Sequence, residues 1–151
     1  MKANLISPYG GKLVNLVVDA TEREELLNRA SELSSIKITM RNLCDLELIA
    51  TGGFSPLTTF MGKADYDRVL REMRLADGTL WPLPITLTAG PKELPTVGED
   101  VVLRNANNDV VAIMTLDEVY HWDPETEAAL AYGSTDPRHP MVSEMERWGK
   151  V

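Results

Sequence analysis

The sequence is short of the residues from which most reactive sites are built. It holds one cysteine, Cys44, and two histidines, His121 and His139. A single thiol cannot form an internal disulfide, and it fits a reducing, cytoplasmic compartment. Flanked by Leu43 and Leu46, Cys44 is expected to be a buried, inert thiol. The histidines share no helix face, and no His-x-x-His or Cys-x-x-Cys spacing occurs, so no zinc centre is expected. Positive charge is also scarce. Lys and Arg number 15 against 23 Asp and Glu, a formal net charge of −8. That argues against a nucleic-acid partner, whose phosphates are met by clustered basic side chains. No apolar run approaches the roughly 20 residues of a membrane-spanning helix. The opening "MKANLISPYGGK" has neither an apolar h-region nor a cleavage site, so no membrane partner is expected.

What is present suits one compact domain over residues 1–151. The chain has 151 residues and is 44% hydrophobic, enough for a core without covalent staples. "KLVNLVVDA" (Lys12 to Ala20) reads as a short buried strand. In "TEREELLNRASEL", Thr21 and Glu24 have capping-box spacing, and Leu26, Ala30 and Leu33 recur at helical intervals. "IKITM" alternates, with Ile36, Ile38 and Met40 on one face, as in a half-buried strand. "NLCDLELIA" has the period of a helix, with Asn42 as a candidate cap and Gly52 or Gly53 as its left-handed close. "KADYDRVLREM" is a further helix with Tyr66, Val69, Leu70 and Met73 inward.

From Leu75 the signals turn to strands. Asp77-Gly78 marks a hairpin turn. "LPITLT" reads as an edge strand or strand entry because of Pro82 and Pro84. "DVVLRN" and "DVVAIMTL" form a hairpin across "ANN", and "EVYHW" is a candidate extension of the sheet. "DPETEAALAY" is a helix with Asp123 at the cap, Pro124 first in the helix and Gly133 beyond its end. "MVSEMERW" is a last short helix. Strands in a run after helices argue an α+β fold, a small, partly closed barrel with packed helices.

The stretch "TGGFSPLTTFM", Thr51 to Met61, poses the sharpest functional question, because glycine-rich turns can cradle phosphates. Phosphate loops precede a helix and use its N-terminal amides. Here the glycines follow a helix, and neither G-x-x-x-x-G-K-[ST] nor G-x-G-x-x-G occurs. Ser55 is not in a G-x-S-x-G elbow, so it reads as a turn residue whose loss costs little. Asp117, Glu118, Asp123, Glu125 and Glu127 could hold a divalent metal but read more simply as a solvated acidic face. His139 in "TDPRHP" reads as a loop anchor, with contact to a neighbouring domain as the functional alternative. Lys63, Arg68, Arg71 and Arg74 alternate with acids and read as surface ion pairs. No nucleophile, base and oxyanion donor come together, so no catalytic, cofactor-binding or metal residue is assigned.

Four motifs carry a family resemblance. "LCDLELIATGGFSPLTTFM" with "DYDRVL", then "MRLADGTLWPLPITL", then "STDPRHPMV", together with "SPYGGKLVNL" near the start, resemble the N-terminal domain of sulfate adenylyltransferase (ATP sulfurylase). The match runs from about Ser7 to Val142. The resemblance implies a PUA-like pseudo-barrel of short, mostly antiparallel strands with several packed helices. It implies a parent nucleotidyltransferase of sulfate assimilation that joins sulfate to ATP with magnesium, yielding adenosine 5′-phosphosulfate and pyrophosphate. The family's nucleotide and sulfate motifs (Gln-x-Arg-Asn-Pro, His-x-x-His and Gly-Arg-Asp) lie in a following catalytic domain and are absent from this sequence. The chain alone is therefore expected to be inactive. Its expected partners are the catalytic domain of the same enzyme and, for the whole protein, further copies of itself. The structural and interdomain residues implied are Gly52, Gly53, Phe54, Ser55, Pro56, Leu57, Phe60, His139 and Pro140. Tyr9, Thr59 and Met141 depart from the usual histidine, glycine and glycine of the family. The competing readings are a stand-alone PUA-like module that binds RNA or protein, and a small metal-dependent enzyme built on the acidic cluster.

Overall fold

A computed structural model describes residues 6–90 and 94–148. Among these residues the order is α1 (Ala20–Ala30), β1 (Ser35–Lys37), α2 (Met40–Thr51), α3 (Lys63–Glu72), β2 (Asp100–Arg104), β3 (Val110–Thr115), α4 (Pro124–Tyr132) and α5 (Pro140–Met145). The strands form one sheet in the order β1-β2-β3. β1 runs parallel to β2, with Ile36 opposite Leu103, and β2 runs antiparallel to β3, with Val102 opposite Ile113. The fold is α+β, and the sheet among the described residues is open and mixed, with β1 and β3 as its edges. No closed barrel is observed there.

The central strand explains itself. Val101, Val102 and Leu103 are fully buried, an unbroken apolar run suited to a strand covered on both faces. Asn105 closes the β2–β3 hairpin by accepting the Asn107 and Asp109 amides at 3.0 and 2.9 Å, while Asn108 takes a positive φ of 70°. Short polar side chains tolerate that conformation best after glycine.

Two apolar clusters sit side by side. The larger joins β1 and β2 to Ile49, Leu57, Phe60, Val69 and Trp81. The smaller joins Tyr66, Leu70, Trp122, Ala128 and Met145. α3 belongs to both, because Val69 faces one cluster and Tyr66 and Leu70 the other.

Several expectations are corrected. Lys12 to Ala20 forms no strand, and Leu13, Leu16 and Val17 are 57%, 47% and 61% exposed. This segment finds no strand partner and instead lies along the end of α2, where the Leu16 amide donates to the Ala50 carbonyl. Met40 is exposed because it starts α2 rather than ending β1, which stops at Lys37. Met73 leaves α3 in a left-handed conformation, φ 53°, and turns outward. "LPITLT" and "EVYHW" are extended but outside the sheet. Cys44 is exposed, since it lies on the side of α2 opposite Ile49. Asp19, not a Thr21 capping box, caps α1 by accepting the Thr21 and Glu22 amides, each at 2.9 Å. Thr39 rather than Asn42 caps α2; Asn42 is buried and donates to the Thr86 carbonyl at 3.0 Å. The α4 caps are those read from the sequence, with Asp123, Pro124 and left-handed Gly133.

Candidate functional site

The corner after α2 is built from its backbone outward. Gly52 ends the helix at φ 86°, and a Cβ there would lie 2.3 Å from the Val14 carbonyl oxygen. Only glycine combines that φ with that approach. The Gly52 amide donates back to the Ile49 carbonyl at 3.3 Å, the five-to-two bond of a Schellman close, and the Phe54 amide reaches the Leu48 carbonyl at 3.0 Å. Gly53 gives room to Leu48, whose Cδ2 would be 2.7 Å from an added Cβ. Phe54 is half-buried and meets Trp81 edge-on at 5.7 Å, while Leu57 and Phe60 are buried in the larger cluster. Pro56 stands against Gly10, where a Cβ would lie 2.7 Å away, and the Ser55–Pro56 peptide is cis.

Ser55 does more than turn the chain. It is buried; its Oγ accepts the Val14 amide at 3.0 Å and donates to the Gly52 carbonyl at 2.7 Å. The hydroxyl bolts the N-terminal segment to the corner, a role beyond the turn read from the sequence. Nothing short of the fold reveals this, since Val14 and Ser55 are far apart in sequence.

Beyond the corner, α3 starts at Gly62 and Lys63. One of the amides that an anion would use there is already taken: Lys63 N–H donates to Glu118 Oε1 at 2.6 Å. A Cβ on Gly62 would meet that oxygen at 2.2 Å. A carboxylate of the chain thus occupies the positive end of the helix dipole.

Phe60, Met61 and Gly62 wall a cavity of about 190 Å³, which continues past Ala89, Leu116, Tyr120 and Glu127. Its polar end is ordered. Tyr66 Oη donates to Glu127 Oε2 at 2.9 Å, Tyr120 Oη donates to the Met61 carbonyl at 2.8 Å, and the two rings lie 5.4 Å apart. Glu127 is 2% exposed, and its Oε1 has no hydrogen-bond partner. Burial raises the Glu127 carboxyl above its ordinary range, against the opposing effects of the Tyr66 hydroxyl and Arg41. Burial, then the nearby carboxylates, raise Tyr66 and Tyr120, so both stay protonated donors.

The solvated acidic face is therefore corrected at Glu127, which is buried because it is on the inner side of α4 beside Ala128; Glu118 is exposed and in addition caps α3. Asp123 is a cap whose carboxyl is held below its usual range, chiefly by the Thr126 hydroxyl. Asp117 and Glu125 are exposed.

His139 and Pro140 lie apart from the corner, at the start of α5. His139 stacks on Tyr132 at 5.5 Å, its amide donates to the Asp136 carbonyl at 2.9 Å, and its Nδ1 is buried without a partner. His121 is exposed and outside the sheet. The basic residues of α3 pair along the helix, Lys63 with Asp67 and Arg68 with Glu72. A second, more apolar cavity of about 330 Å³ lies between Leu16, Leu26, Ile49, Val111 and the far side of Phe60. No helix among the described residues is long and apolar enough to cross a membrane.

The architecture has a match among known families. A family model described as a PUA-like domain covers residues 6–151. The chain belongs to the PUA-like domain family. It is 43% identical over 151 residues to a sulfate adenylyltransferase of Symbiobacterium thermophilum, covering 99% of this chain and 38% of that one. A Halothermothrix orenii sulfate adenylyltransferase is 44% identical over 150 residues, covering 97% and 39%. One from Emericella nidulans is 46% identical over 142 residues, covering 90% and 25%. Among solved structures, a hexameric APS kinase from Thiobacillus denitrificans matches with a TM-score of 0.69 and 43% identity, over 77% of this chain and 24% of that one. The chain thus spans well under half the length of these relatives.

Proposed function

We propose that this domain is the non-catalytic N-terminal part of a sulfate adenylyltransferase, packing against and supporting a catalytic domain that joins sulfate to ATP. One observation carries the reading: similarity runs through nearly all of this chain but through only 38% of the Symbiobacterium relative. The nucleotide and sulfate motifs implied by the resemblance are absent from this sequence, and Glu118 fills the helix N-terminus nearest the glycine corner. On this reading ATP and magnesium belong to the catalytic domain, residues 1–151 form one domain, and the protein is a cytoplasmic enzyme of sulfate assimilation. The whole protein associates with copies of itself, a reading supported by the hexamer of the APS kinase it resembles. The corner residues Gly52 to Phe60, with His139 and Pro140, serve as structural and interdomain contacts. We also infer that the open sheet belongs to a pseudo-barrel walled by the extended run through Ile85, whose carbonyl accepts the Met61 amide at 2.9 Å.

A chimera tests this. The chain is put in place of the matching segment of the Symbiobacterium relative, and pyrophosphate release from ATP and sulfate is followed. The chimera is expected to keep activity within about tenfold, roughly 1.4 kcal/mol in barrier, of the parent. The isolated chain is expected to show none. A folded but inactive chimera, or turnover by the isolated chain at about 1 per second or faster, overturns the proposal.

A further inference from the structure

We propose that the cavity between Met61, Leu116, Tyr120 and Glu127 is a binding site for a compact primary ammonium compound. The space, about 190 Å³, far exceeds the roughly 10–15 Å³ that one water needs. It is smaller than sites for drug-sized ligands, which start near 300 Å³. Its apolar walls, including Phe60, Leu87 and Leu116, suit a short alkyl chain.

The polar groups decide the sign of the ligand. Asp117, Glu118 and Glu127 all line the space, and no Lys or Arg does. An anion is repelled there and a cation attracted. Tyr66 and Tyr120 present aromatic rings 5.4 Å apart, and ring faces attract ammonium groups. The chain itself illustrates this, since Lys63 Nζ, which does not line the cavity, sits 5.5 and 5.9 Å from the Tyr66 and Tyr120 centroids while paired with Asp67.

Glu127 supplies the specific contact. A buried acceptor without a donor costs free energy that any ligand donor reaching it recovers. Its partner on the other oxygen, Tyr66, fixes the side chain but leaves Oε1 unused. Rotation about the last side-chain torsion of a glutamate is soft. Glu127 itself lines the cavity, so an ammonium there has this carboxylate within its walls. An ammonium has three donors, which one carboxylate oxygen, a tyrosine ring and water together satisfy.

The test uses three probes of one size, n-butylammonium, n-butanol and butyrate, titrated into the 151-residue chain at constant ionic strength. Ring resonances of Tyr66 and Tyr120 are followed by NMR. Saturable shifts with n-butylammonium are expected, at least tenfold weaker binding for n-butanol, and none for butyrate. The Glu127→Gln protein, which keeps an acceptor for the Tyr66 hydroxyl, is expected to bind the amine at least tenfold more weakly. Equal binding of amine and alcohol, no saturable shift with the amine, or unchanged amine affinity in folded Glu127→Gln overturns the proposal. If that variant fails to fold, the ranking of the three probes on the wild-type chain decides alone.

Discussion

Glu127 shows how one residue can set the pH response of a whole fold. Its carboxyl is raised above its ordinary value of 4.5, mainly by burial. Well below that value it is protonated in both the folded and unfolded chain, and behaves like glutamine. Above its folded value, the native state holds a buried charge that the unfolded chain keeps in water, so ionisation opposes folding. The sign is therefore opposite to that of a carboxylate such as Asp100, which the Thr115 hydroxyl, and to a lesser degree Arg29, holds below its ordinary range and which favours the native state above that range. Relative to wild type, Glu127→Gln should gain stability as pH rises from 4.5 towards neutrality. Urea unfolding of both proteins across that range measures it; a gap that stays constant or shrinks with rising pH contradicts the account. Sequence alone conceals this residue. Glu127 stands among five acids in the run from Asp117, and only the helical phase with Ala128 hints that it turns inward.

At the scale of elements, the corner between α2 and α3 is where sequence and fold agree best and then part. Gly52 as a left-handed close is legible, because the apolar stripe of α2 stops at Ala50 and a glycine follows. The α4 caps and the β2–β3 hairpin are legible for the same reason: their signals lie within a few residues of one another. What depends on distant partners is not. The run from Lys12 has the apolar content of a strand, yet no strand lies beside it, and it is tied down instead by Ser55 and Ala50. The run through Ile85 alternates apolar residues in sequence as a strand does, but it buries Pro84, Ile85 and Thr86 in succession and makes no ladder. The cavity is illegible altogether, since its walls come from five separate stretches. For the corner the expected outcome is specific. Ser55→Ala leaves the Val14 amide without its partner, while the Gly52 carbonyl keeps the residue-55 amide, and should cost about 1–3 kcal/mol. A lowered urea midpoint with an unchanged slope would register it, and a loss under about 0.5 kcal/mol would show that water replaces the hydroxyl.

For the molecule as a whole, charge is the dominant property visible from outside. A net −8 repels polyphosphates, and Arg68 of α3 and Arg138 of the turn before α5 are already paired with Glu72 and Asp136. Generic RNA or duplex DNA should therefore show no salt-sensitive binding near physiological salt, where nonspecific binders reach roughly 10⁻⁴ to 10⁻⁶ M. Fluorescence anisotropy with a labelled oligonucleotide checks this. Micromolar binding that weakens steeply with salt would favour the RNA-module reading of a PUA-like domain instead.

The segment from Tyr9 to Leu16 has a further consequence. Three hydrogen bonds strap it on: Tyr9 to the Leu80 carbonyl, the Val14 amide to Ser55, and the Leu16 amide to Ala50. Its side chains contribute little burial, so it can peel away while the sheet and both apolar clusters stay intact. Such partial opening needs no crossing of the global unfolding barrier. It bares the apolar hollow that Leu16, Val17 and Val18 help to enclose, with Ile49 and Phe60 in its floor. Release of the strap, rather than melting of the core, is therefore expected to be the first step that bares apolar surface.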